Sequence, residues 1–599
     1  MKRKIIFETV YVETCVDTDK DNKLDLIKVY IKRPENEMNV PAVYVANPYM
    51  FSCNDELYQL HEVDKNLSAF ETQTVTEEAI CFNREDYIYP KNIIHRKTKG
   101  YSEAIRCTET IELECISNLY DHLQDRGYAS VFCGGLGTKG SEGIVKTGSY
   151  EELLAFKSVI DWLNGKARAF TNLTDEIEVQ ADWCSGSVAM SAKSYLGTLA
   201  VGVATTGVEG LKTIIPEAAI TNWYEYYRYN GLTVCPYEWQ GDDIDLLSIY
   251  CTSRIQEDKS IEQLFNENKQ ETLLASDRES GNYNKFWDER NYLNYAHNIK
   301  ASVLLIHGIN DWNVKTSHCH KLFKALEKNN IDRNMVLHQG EHIYIYNLKG
   351  FDMMGIIDRW LDYYLKGIET GIEKEPKILM QSNLDQYKWY ESETTCENKE
   401  VLKLDCENLC FIDDLEKTAY STQKDCKAWR DELVLGETIE HGIRFTHDLF
   451  KQERYKDVEA IKISGSIEVK FAASMDSDTT VLSAMLVDLG DVKRVKPEVV
   501  DLENSFYFTE EQSAYKIISR GWLNAQNRSS IIAKESIVKN ERYSYTFNMI
   551  DTDYILSRES QLLVIVYGTD YDYTVRSKDV TKVSVSSIEV HVPMESVEL

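Results

Sequence analysis

Apolar and polar positions alternate with two periods along the first part of the chain. Short apolar runs such as PAVYVANPY and SVLLIHG are typical of buried strands. The segment YEELLAFKSVIDWLNG instead spaces its apolar residues as a helix does, and Gly165 is its stop signal. Because strands and helices alternate over roughly 370 residues, we expect an α/β class fold with an open, mostly parallel sheet.

The pattern breaks between about Trp223 and Ile299. This stretch is aromatic and acidic, as in NWYEYYRYNG and WQGDDIDLLSIY, and it predicts helices inserted between strands of the sheet. An insertion there covers the carboxyl ends of the strands, where sites in such sheets form. We therefore expect a helical cap over residues 223–299.

Period-two alternation dominates after about Glu375. Segments such as AIKISGSIEVKFAASM, QLLVIVYGTDYD and TKVSVSSIEVHVP carry turn signals and little helical spacing. They predict an all-β, jelly-roll-like sandwich of two sheets. The expected domains are thus a catalytic α/β domain over 1–375 and a β-sandwich over 376–599.

The length of the chain indicates more than one domain, and its net charge argues against nucleic-acid and membrane partners. A chain of 599 residues exceeds one ordinary core, and its net charge of −30 repels nucleic acid and anionic membranes. We find no apolar run of about 18 residues and no secretion signal behind the basic start. The 14 cysteines include no CxxC pair, which favours reduced thiols in the cytoplasm. We expect neither a nucleic-acid nor a membrane partner.

One short stretch offers metal-ligand residue types. In SHCH, His318 and His320 lie two positions apart. Alternate residues diverge on a helix, and no second ligand cluster accompanies them. We therefore predict no metal site, and the chemistry below requires no organic cofactor.

Three residues occur in the order that acyl transfer by an α/β-hydrolase requires. Ser194, Asp311 and His342 each follow a predicted strand, in the chain order of nucleophile, acid and base. Alternatives stay open for each residue alone. The serine could be an ordinary helix-start residue, and Asp311 could be a helix cap, a role that Asn310 could fill equally well.

The turn around the serine departs from the common G-x-S-x-G pattern. Ala192 stands two residues before Ser194, and the following glycine, Gly197, comes one place late. A tight strand-to-helix turn needs a small residue before the serine, which alanine nearly satisfies. We expect Gly197 to allow the close packing that the missing glycine would otherwise provide.

The segments around these residues resemble a known family. AKSYLG matches the pattern G-K-S-Y-x-G except at Ala192, and GLGTKGSEG, HGINDWNVK and LHQGEHIY match further family segments. The chain resembles the Xaa-Pro dipeptidyl-peptidases of serine peptidase family S15, which also includes bacterial cocaine esterase and α-amino-acid ester hydrolases. The resemblance implies an α/β-hydrolase fold and a serine exopeptidase (an aminopeptidase-type serine protease) that releases N-terminal X-Pro dipeptides.

The resemblance also implies roles for the site residues. Ser194 would be the nucleophile, His342 the general base and Asp311 the carboxylate that orients it. The oxyanion hole would use the backbone N–H of Tyr195 and the hydroxyl of Tyr49. On the residues alone, Tyr49 could equally be a core aromatic at a turn.

Substrate recognition is implied by the same resemblance. The proline would lie against Trp223 and Tyr226, which on sequence alone would be assigned to core packing. Asp242 and Asn313 would bind the substrate ammonium, so peptides with a free amino terminus and proline second are the expected partners. Asp242 replaces the family's glutamate, and Asp243 is an alternative ligand.

Other functions and assemblies stay open. An esterase or acylase could use the same triad with a different pocket, and an inactive hydrolase could act as an interaction module. Longer family members carry a helical amino-terminal domain that contributes to subunit contacts. We expect that domain to be absent here or reduced to the insertion 51–98, so a homodimer remains an alternative to a monomer.

Overall fold

The structure is a computed structural model of the chain. It describes residues 3–108, 111, 113, 115–237, 239–396, 398–501 and 505–598. Within these residues the chain forms a large mixed sheet flanked by helices, a helical insertion, and two mostly antiparallel sheets that follow them.

A 14-stranded sheet organises the first part of the chain. The strands up to residue 392 are β1 (Ile5–Glu13), β2 (Leu26–Pro34), β3 (Val40–Ala46), β4 (Gly100–Tyr101), β5 (Ile105–Arg106), β6 (Ala129–Cys133), β7 (Ala169–Phe170), β8 (Ile177–Glu178), β9 (Cys184–Lys193), β10 (Leu211–Glu217), β11 (Arg228–Tyr229), β12 (Leu232–Thr233), β13 (Ser302–Gly308), β14 (Arg333–His338), β15 (Ile378–Gln381) and β16 (Trp389–Ser392). All except β11 and β12, which form a separate hairpin, belong to this sheet.

The centre of the sheet is parallel. Its order runs β15-β14-β13-β10-β9-β3-β6, and each neighbouring pair in this run is parallel. Strands β3, β13 and β14 are buried almost throughout, as their continuous apolar runs predict. The predicted α/β sheet is confirmed, and the carboxyl ends of β9, β13 and β14 lie along one edge of it.

Helices follow the strands as the apolar spacing predicts. They are α1 (Glu77–Ile80), α2 (Leu119–Asp125), α3 (Tyr150–Leu163), α4 (Tyr195–Ala204), α5 (Trp223–Tyr227), α6 (Ile244–Cys251), α7 (Glu262–Ala275), α8 (Lys285–Glu289), α9 (Ser317–Lys328), α10 (Met353–Lys366), α11 (Ala419–Gln423) and α12 (Cys426–Leu435). The Ser149 side chain caps α3, and Gly165 lies just beyond its end with a φ of 70°. Helices α3, α4 and α10 contribute to the apolar core of the large sheet.

The predicted cap forms between β10 and β13. It contains α5 to α8 and the β11–β12 hairpin. Its aromatic residues are mostly buried: Trp223 and Trp287 are fully enclosed. This explains why the stretch has no clean helical period, since its apolar side chains pack on several sides.

The last part of the chain is the predicted sandwich. Its strands are β17 (Lys399–Asp413), β18 (Gly442–His447), β19 (Ala460–Gly465), β20 (Glu468–Met475), β21 (Val481–Asp501), β22 (Ser505–Asn524), β23 (Tyr543–Asn548), β24 (Thr552–Ser557), β25 (Gln561–Tyr567) and β26 (Thr581–Val597). They form a 6-stranded and a 4-stranded sheet whose facing side chains make one core. Helix α12 packs on the 4-stranded sheet through Trp429 and Leu433.

The division at residues 375 and 376 stays a prediction. The large sheet continues beyond that position, because β15 pairs with β14 and β16 pairs with β15. The polypeptide therefore leaves the sheet after Ser392, and β17 is the first strand that pairs within the sandwich.

The sandwich is joined to the rest of the chain by apolar and polar contacts. Leu232 and Val234 of the cap pack with Trp522 and Tyr573 of the sandwich. His320 of α9 forms a buried ion pair with Asp553 of β24, Nε2 to Oδ2 2.8 Å. These contacts fix the sandwich against the edge of the α/β domain.

Among the described helices, none is both long enough and apolar enough to cross a membrane. The described cysteines carry free thiols.

Candidate active site

Ser194 lies at the sharp turn between β9 and α4. Its backbone has φ 65° and ψ −134°, a conformation that is strained for any residue except glycine. The Ser194 N–H donates to the carbonyl oxygen of Glu217 at 2.9 Å, which holds the turn against the end of β10. The side chain is half-buried rather than enclosed. This is the geometry of a nucleophile presented at the top of the sheet.

Gly197 explains how the turn tolerates an unusual sequence. A Cβ atom at this position would lie 2.4 Å from the carbonyl oxygen of Ala192 and 3.1 Å from that of Glu217. Helix α4 therefore approaches β9 and β10 most closely at Gly197, one residue later than in the G-x-S-x-G pattern. Ala192 itself is fully buried in β9.

Asp311 and His342 form a hydrogen-bonded pair at the ends of the neighbouring strands β13 and β14. The His342 Nδ1–H donates to Asp311 Oδ2 at 2.7 Å, and the carboxylate is completely buried. Its other oxygen accepts the backbone N–H groups of Asn313 and Val314 at 3.0 and 2.9 Å. Burial favours the neutral acid, but His342 and these donors hold the pKa of Asp311 below its ordinary value.

Asn310 has a different role from the cap considered above. Its side-chain amide donates to the carbonyl oxygen of Gln339 at 2.8 Å. The bond joins the loop after β13 to the loop after β14, which carries the histidine.

Lys193 connects the serine turn to the histidine loop. Its Nζ donates to the carbonyl oxygen of His342 at 3.1 Å and lies 4.6 Å from the centre of the Tyr344 ring. Its backbone N–H donates to the Tyr344 hydroxyl at 3.2 Å. The residue before Ser194 thus contacts the backbone of His342 directly, so the turn and the loop meet at one edge of the sheet.

Two donors predicted for an oxyanion hole lie beside this turn. Tyr195 is the first residue of α4, where a backbone N–H has no acceptor within the helix. Tyr49 follows β3 in a turn closed by its N–H bond to Asn47 Oδ1, and its ring packs edge-on against that of Tyr195 with 5.9 Å between centroids. Burial holds the pKa of the Tyr49 hydroxyl well above its ordinary value, so it stays a donor at neutral pH.

The predicted proline-binding aromatics belong to one cluster with Tyr195. The Trp223 ring lies 5.1 Å from that of Tyr195 and 6.0 Å from that of Tyr226, edge-on in both cases. Trp223 is fully buried, and its indole N–H donates to the Tyr292 hydroxyl at 3.1 Å. Tyr226 retains 8% exposure. Trp223 therefore forms the back of the cluster and Tyr226 its accessible side.

Asp242 is a buried carboxylate held by two phenols. Tyr58 and Tyr227 donate to its two oxygens at 2.8 and 3.0 Å. Among the described residues, no Lys, Arg or His nitrogen pairs with it within 4 Å. Burial raises the pKa of Asp242 to about 7, because the ionised form lacks a compensating cation.

Asp243, the alternative ligand, is already neutralised. It pairs with Arg228 at 2.9 Å and with the Arg278 guanidinium. Its side chain also accepts the N–H of Ile244 and caps α6. Although burial opposes ionisation, the two arginines hold its pKa below the ordinary value.

Asn313 lies between the acid of the pair and the aromatic cluster. Its Oδ1 accepts the Tyr226 hydroxyl at 2.8 Å. Burial, then the Asp242 and Asp311 carboxylates, raise the pKa of Tyr226. Tyr226 therefore lies within electrostatic range of both Asp242 and Asp311.

Sequence reasoning missed the residues that hold Asp242. Tyr58 comes from the insertion 51–98, and Tyr227 belongs to α5. Nor did the sequence indicate that α12 and β22 of the sandwich form one wall of a cleft of about 1030 Å³ beside His342. The only available signal for Tyr227 was its place within the aromatic run NWYEYYRY.

The histidines of SHCH make separate buried contacts. His318 Nδ1 lies 3.3 Å from the Thr221 backbone nitrogen, whereas His320 pairs with Asp553. Among the described residues, one group places three potential metal-ligand oxygens within 4.8 Å of one another: Asp17, Asp19 and Asp21 in the β1–β2 turn. Asp19 is paired there with Arg254 at 2.7 Å.

Comparison with protein families covers most of the chain. Residues 21–344 match the X-Pro dipeptidyl-peptidase (S15 family) model. Residues 370–594 match the X-Pro dipeptidyl-peptidase C-terminal non-catalytic domain. The Xaa-Pro dipeptidyl-peptidase of Pediococcus pentosaceus is 34% identical, with 96% of this chain and 75% of that protein aligned. That of Lactiplantibacillus plantarum is also 34% identical, over 99% of this chain and 77% of the relative.

Solved structures share the fold at low identity. An α-amino acid ester hydrolase aligns with a TM-score of 0.61 and 15% identity, covering 98% of this chain and 97% of that one. A CocE/NonD family hydrolase of Staphylococcus aureus aligns with a TM-score of 0.59 and 13% identity, covering 98% and 97%. At these identities the likeness establishes the α/β-hydrolase fold with its appended β domain.

Proposed function

Because the chain belongs to the X-Pro dipeptidyl-peptidase (S15) family, we propose that Ser194, His342 and Asp311 release X-Pro dipeptides from the amino termini of peptides. Serine exopeptidase activity follows from the family. What we propose beyond the family activity is the role of each residue and the specificity for proline. The main support for this proposal is that Asp242 is a buried carboxylate without a cationic partner among the described residues.

The free amino terminus of a peptide supplies the cation that Asp242 lacks. An α-amino group with a pKa of about 8 is mostly protonated at neutral pH. Binding it beside Asp242 turns an unfavourable buried charge into an ion pair, whose loss costs about 2–5 kcal/mol. Asn313 Oδ1 offers a second acceptor nearby. Asp243 cannot take this role, because Arg228 and Arg278 already neutralise it.

The aromatic cluster suits the second residue of the substrate. A pyrrolidine ring brings no N–H that would need an acceptor, so an apolar surface accepts it without an unsatisfied donor. Tyr226 offers that surface between Asn313 and Trp223. An ammonium held at Asp242 and a proline at Tyr226 would place the following carbonyl group near Ser194.

The chemistry proceeds through a dipeptidyl ester of the serine. Ser194 Oγ attacks the carbonyl carbon of the proline residue while His342 Nε2 takes its proton. Asp311 fixes the imidazole through Nδ1 and stabilises its positive charge. The Tyr195 N–H and the Tyr49 hydroxyl bind the oxyanion, each worth about 10²–10³ in rate. His342 then protonates the leaving amine, and water hydrolyses the ester by the same route.

Partners and location complete the proposal. The substrates are peptides with a free amino terminus and proline at position two. Free thiols among the described cysteines support a reducing, cytoplasmic location. A homodimer remains an expectation from the family.

Product analysis by mass spectrometry tests this function. On a peptide that begins Ala-Pro, the enzyme should release the Ala-Pro dipeptide, and the N-acetylated peptide should be cut at least about 100-fold more slowly. Ser194→Ala should lower the rate by about 10⁴-fold or more. Ser191→Ala is the matched control, because Ser191 lies in β9 three residues before Ser194 and its hydroxyl contacts Tyr120 instead.

Two results would count against the proposal. Equal cleavage of the acetylated peptide, or cleavage of simple aryl esters in preference to peptides, would assign the site to the esterase or acylase alternative. Full activity of Ser194→Ala would show that another residue is the nucleophile.

A further inference from the structure

The cleft beside His342 lies between the two domains. It holds about 1030 Å³ and is lined on one side by His342 and Asn313 of the α/β domain. Helix α12 and residues 513–517 of β22 form its other side. Strand β22 is the edge strand of the 4-stranded sheet. The sandwich therefore forms part of the surface that a bound peptide would meet.

The lining residues indicate which part of the substrate occupies this cleft. His342 lines it, whereas Trp223, Tyr226 and Asp242 do not, and Asn313 lies where the cleft adjoins the ammonium-binding side. In the proposed mechanism, on which this inference rests, His342 gives its proton to the leaving amine. The residues that follow the scissile bond must therefore leave from the side on which His342 is exposed. We therefore assign the part of the cleft between His342 and the sandwich wall to the leaving-group side of the site.

Most cations of the sandwich wall are neutralised by neighbours. Arg520 pairs with Asp570 and Asp572 at 3.1 and 2.7 Å, and Arg430 pairs with Asp572 at 2.5 Å. Lys427 pairs with Asp431 at 2.5 Å in the same turn of α12. These side chains bring no uncompensated charge to the cleft.

Lys516 differs from these three side chains because it has no ion pair among the described residues. It is half-buried in β22, and within the described residues no carboxylate lies within 4 Å of its Nζ. Burial lowers the pKa of Lys516 to about 8, although the Glu341 carboxylate acts in the opposite direction. Glu341 also lines the cleft but forms no ion pair with Lys516 within 4 Å, so a partly desolvated lysine without such a pair gains from an anion that a ligand supplies.

We propose that Lys516 forms a carboxylate-binding subsite on the leaving-group side of the cleft, contributed by the sandwich domain. The ligand is a carboxylate of the peptide beyond the scissile bond. It can be the terminal carboxylate of a short peptide or the side chain of an acidic residue. The subsite makes the enzyme selective for such peptides, even though the protein as a whole carries a net charge of −30.

The test compares matched acid and neutral substrates. The first arm measures kcat/KM for Ala-Pro-Gly and Ala-Pro-Gly-Gly as free acids and as amides. The second arm compares Ala-Pro-Gly-Glu-amide with Ala-Pro-Gly-Gln-amide. We expect the acidic member to be preferred about tenfold in at least one arm. The arm that shows the preference identifies the source of the carboxylate.

Variants assign the preference to one residue. Lys516→Met, which keeps the unbranched side chain as far as Cε and removes the ammonium, should reduce the acid-to-neutral ratio to about one, and Lys516→Arg should retain most of it. Lys427→Met combined with Asp431→Asn removes an ion pair from the same cleft without changing its net charge, and should leave the ratio unchanged. Thermal melting and labelling of Ser194 by a fluorophosphonate establish that each variant is folded.

Salt provides a measurement that needs no variant. In the wild-type enzyme the ratio should fall when NaCl is raised from about 0.05 to about 0.5 M, because the ion pair is only partly shielded from solvent. A ratio near one in both arms would overturn the subsite, as would an equal loss in the variant that combines Lys427→Met with Asp431→Asn. Hydrolysis of Ala-Pro-p-nitroanilide by the wild type, which involves no carboxylate, shows separately whether the proposed function holds.

Discussion

Two adjacent carboxylates in this chain occupy opposite electrostatic environments. Asp243 has two arginine partners and a helix N-terminus, whereas Asp242 has two tyrosine hydroxyls and no cation among the described residues. The pKa is accordingly held below the ordinary value for Asp243 and raised to about 7 for Asp242. The first residue supports the fold, and the second is available to a ligand.

Replacing Asp243 should therefore destabilise the protein, whereas replacing Asp242 should stabilise it. Asp243→Asn leaves the fully buried Arg228 without its counter-charge and should lower the free energy of unfolding by about 3–5 kcal/mol. Asp242→Asn should instead stabilise the ligand-free enzyme at pH 8. Urea unfolding of both variants beside the wild type measures this contrast.

The pH dependence of the Asp242→Asn effect has a definite sign. Because the folded pKa of about 7 exceeds the ordinary 3.8, the folded state binds the proton more tightly than the unfolded chain. The wild type therefore loses stability as pH rises from about 4 to about 7, by at most about 4 kcal/mol. The advantage of the variant should grow from pH 5 to pH 8. A difference in unfolding free energy that stays constant with pH would show that burial does not raise the pKa of Asp242.

At the scale of elements, the serine turn depends on one close approach. Alanine is ordinarily favoured over glycine within a helix by about 1 kcal/mol. At Gly197 a Cβ would lie only 2.4 Å from a backbone oxygen of β9, and backbone cannot move aside as a flexible side chain can. The clash therefore outweighs the helix preference, and alanine at this position lowers the stability of the protein.

Gly197→Ala should accordingly be destabilising and should disturb the turn that carries Ser194. We expect a loss of about 1–3 kcal/mol and slower labelling of Ser194 by a fluorophosphonate, because α4 must shift away from β9. Thermal melting and the labelling rate report the two effects. Unchanged labelling at an unchanged melting temperature would mean that α4 tolerates the extra methyl group.

Local patterns predicted the elements that carry the proposed triad. Ser194, Asp311 and His342 each follow a strand whose apolar run is readable from the sequence, and the parallel order brings those strand ends to one edge. The contacts of Asp242 had no such signal. Tyr58 lies 184 positions from Asp242, and nothing in a local period reports which distant phenol will reach a carboxylate. Trp223 and Tyr226 were equally ambiguous, since core and pocket aromatics share one pattern.

At the scale of the whole molecule, the sandwich completes the surroundings of the site. It meets the cap through Trp522 and Tyr573 and the α/β domain through the buried pair of His320 and Asp553. Its edge strand β22 lines the cleft beside His342. Alternation predicted the sandwich itself, but not this wall, because docking between domains depends on surfaces that are distant in the chain.

Recognition of the substrate ammonium by Asp242 can be measured with two substrates of the same shape. Ala-Pro-p-nitroanilide carries the ammonium, and propionyl-Pro-p-nitroanilide lacks it. The ratio of their kcat/KM values, measured from pH 5 to 9 in the wild type and in Asp242→Asn, cancels contributions from His342 that both substrates share.

We expect a wild-type ratio of about 10² or more near pH 7.5. The ratio should rise with pH through about 7 as Asp242 ionises and fall above about 8 as the substrate amine loses its proton. In Asp242→Asn it should be small and nearly independent of pH below that point. A wild-type ratio near one at every pH, or a full ratio in the variant, would contradict the claim that this carboxylate selects peptides by their free amino terminus.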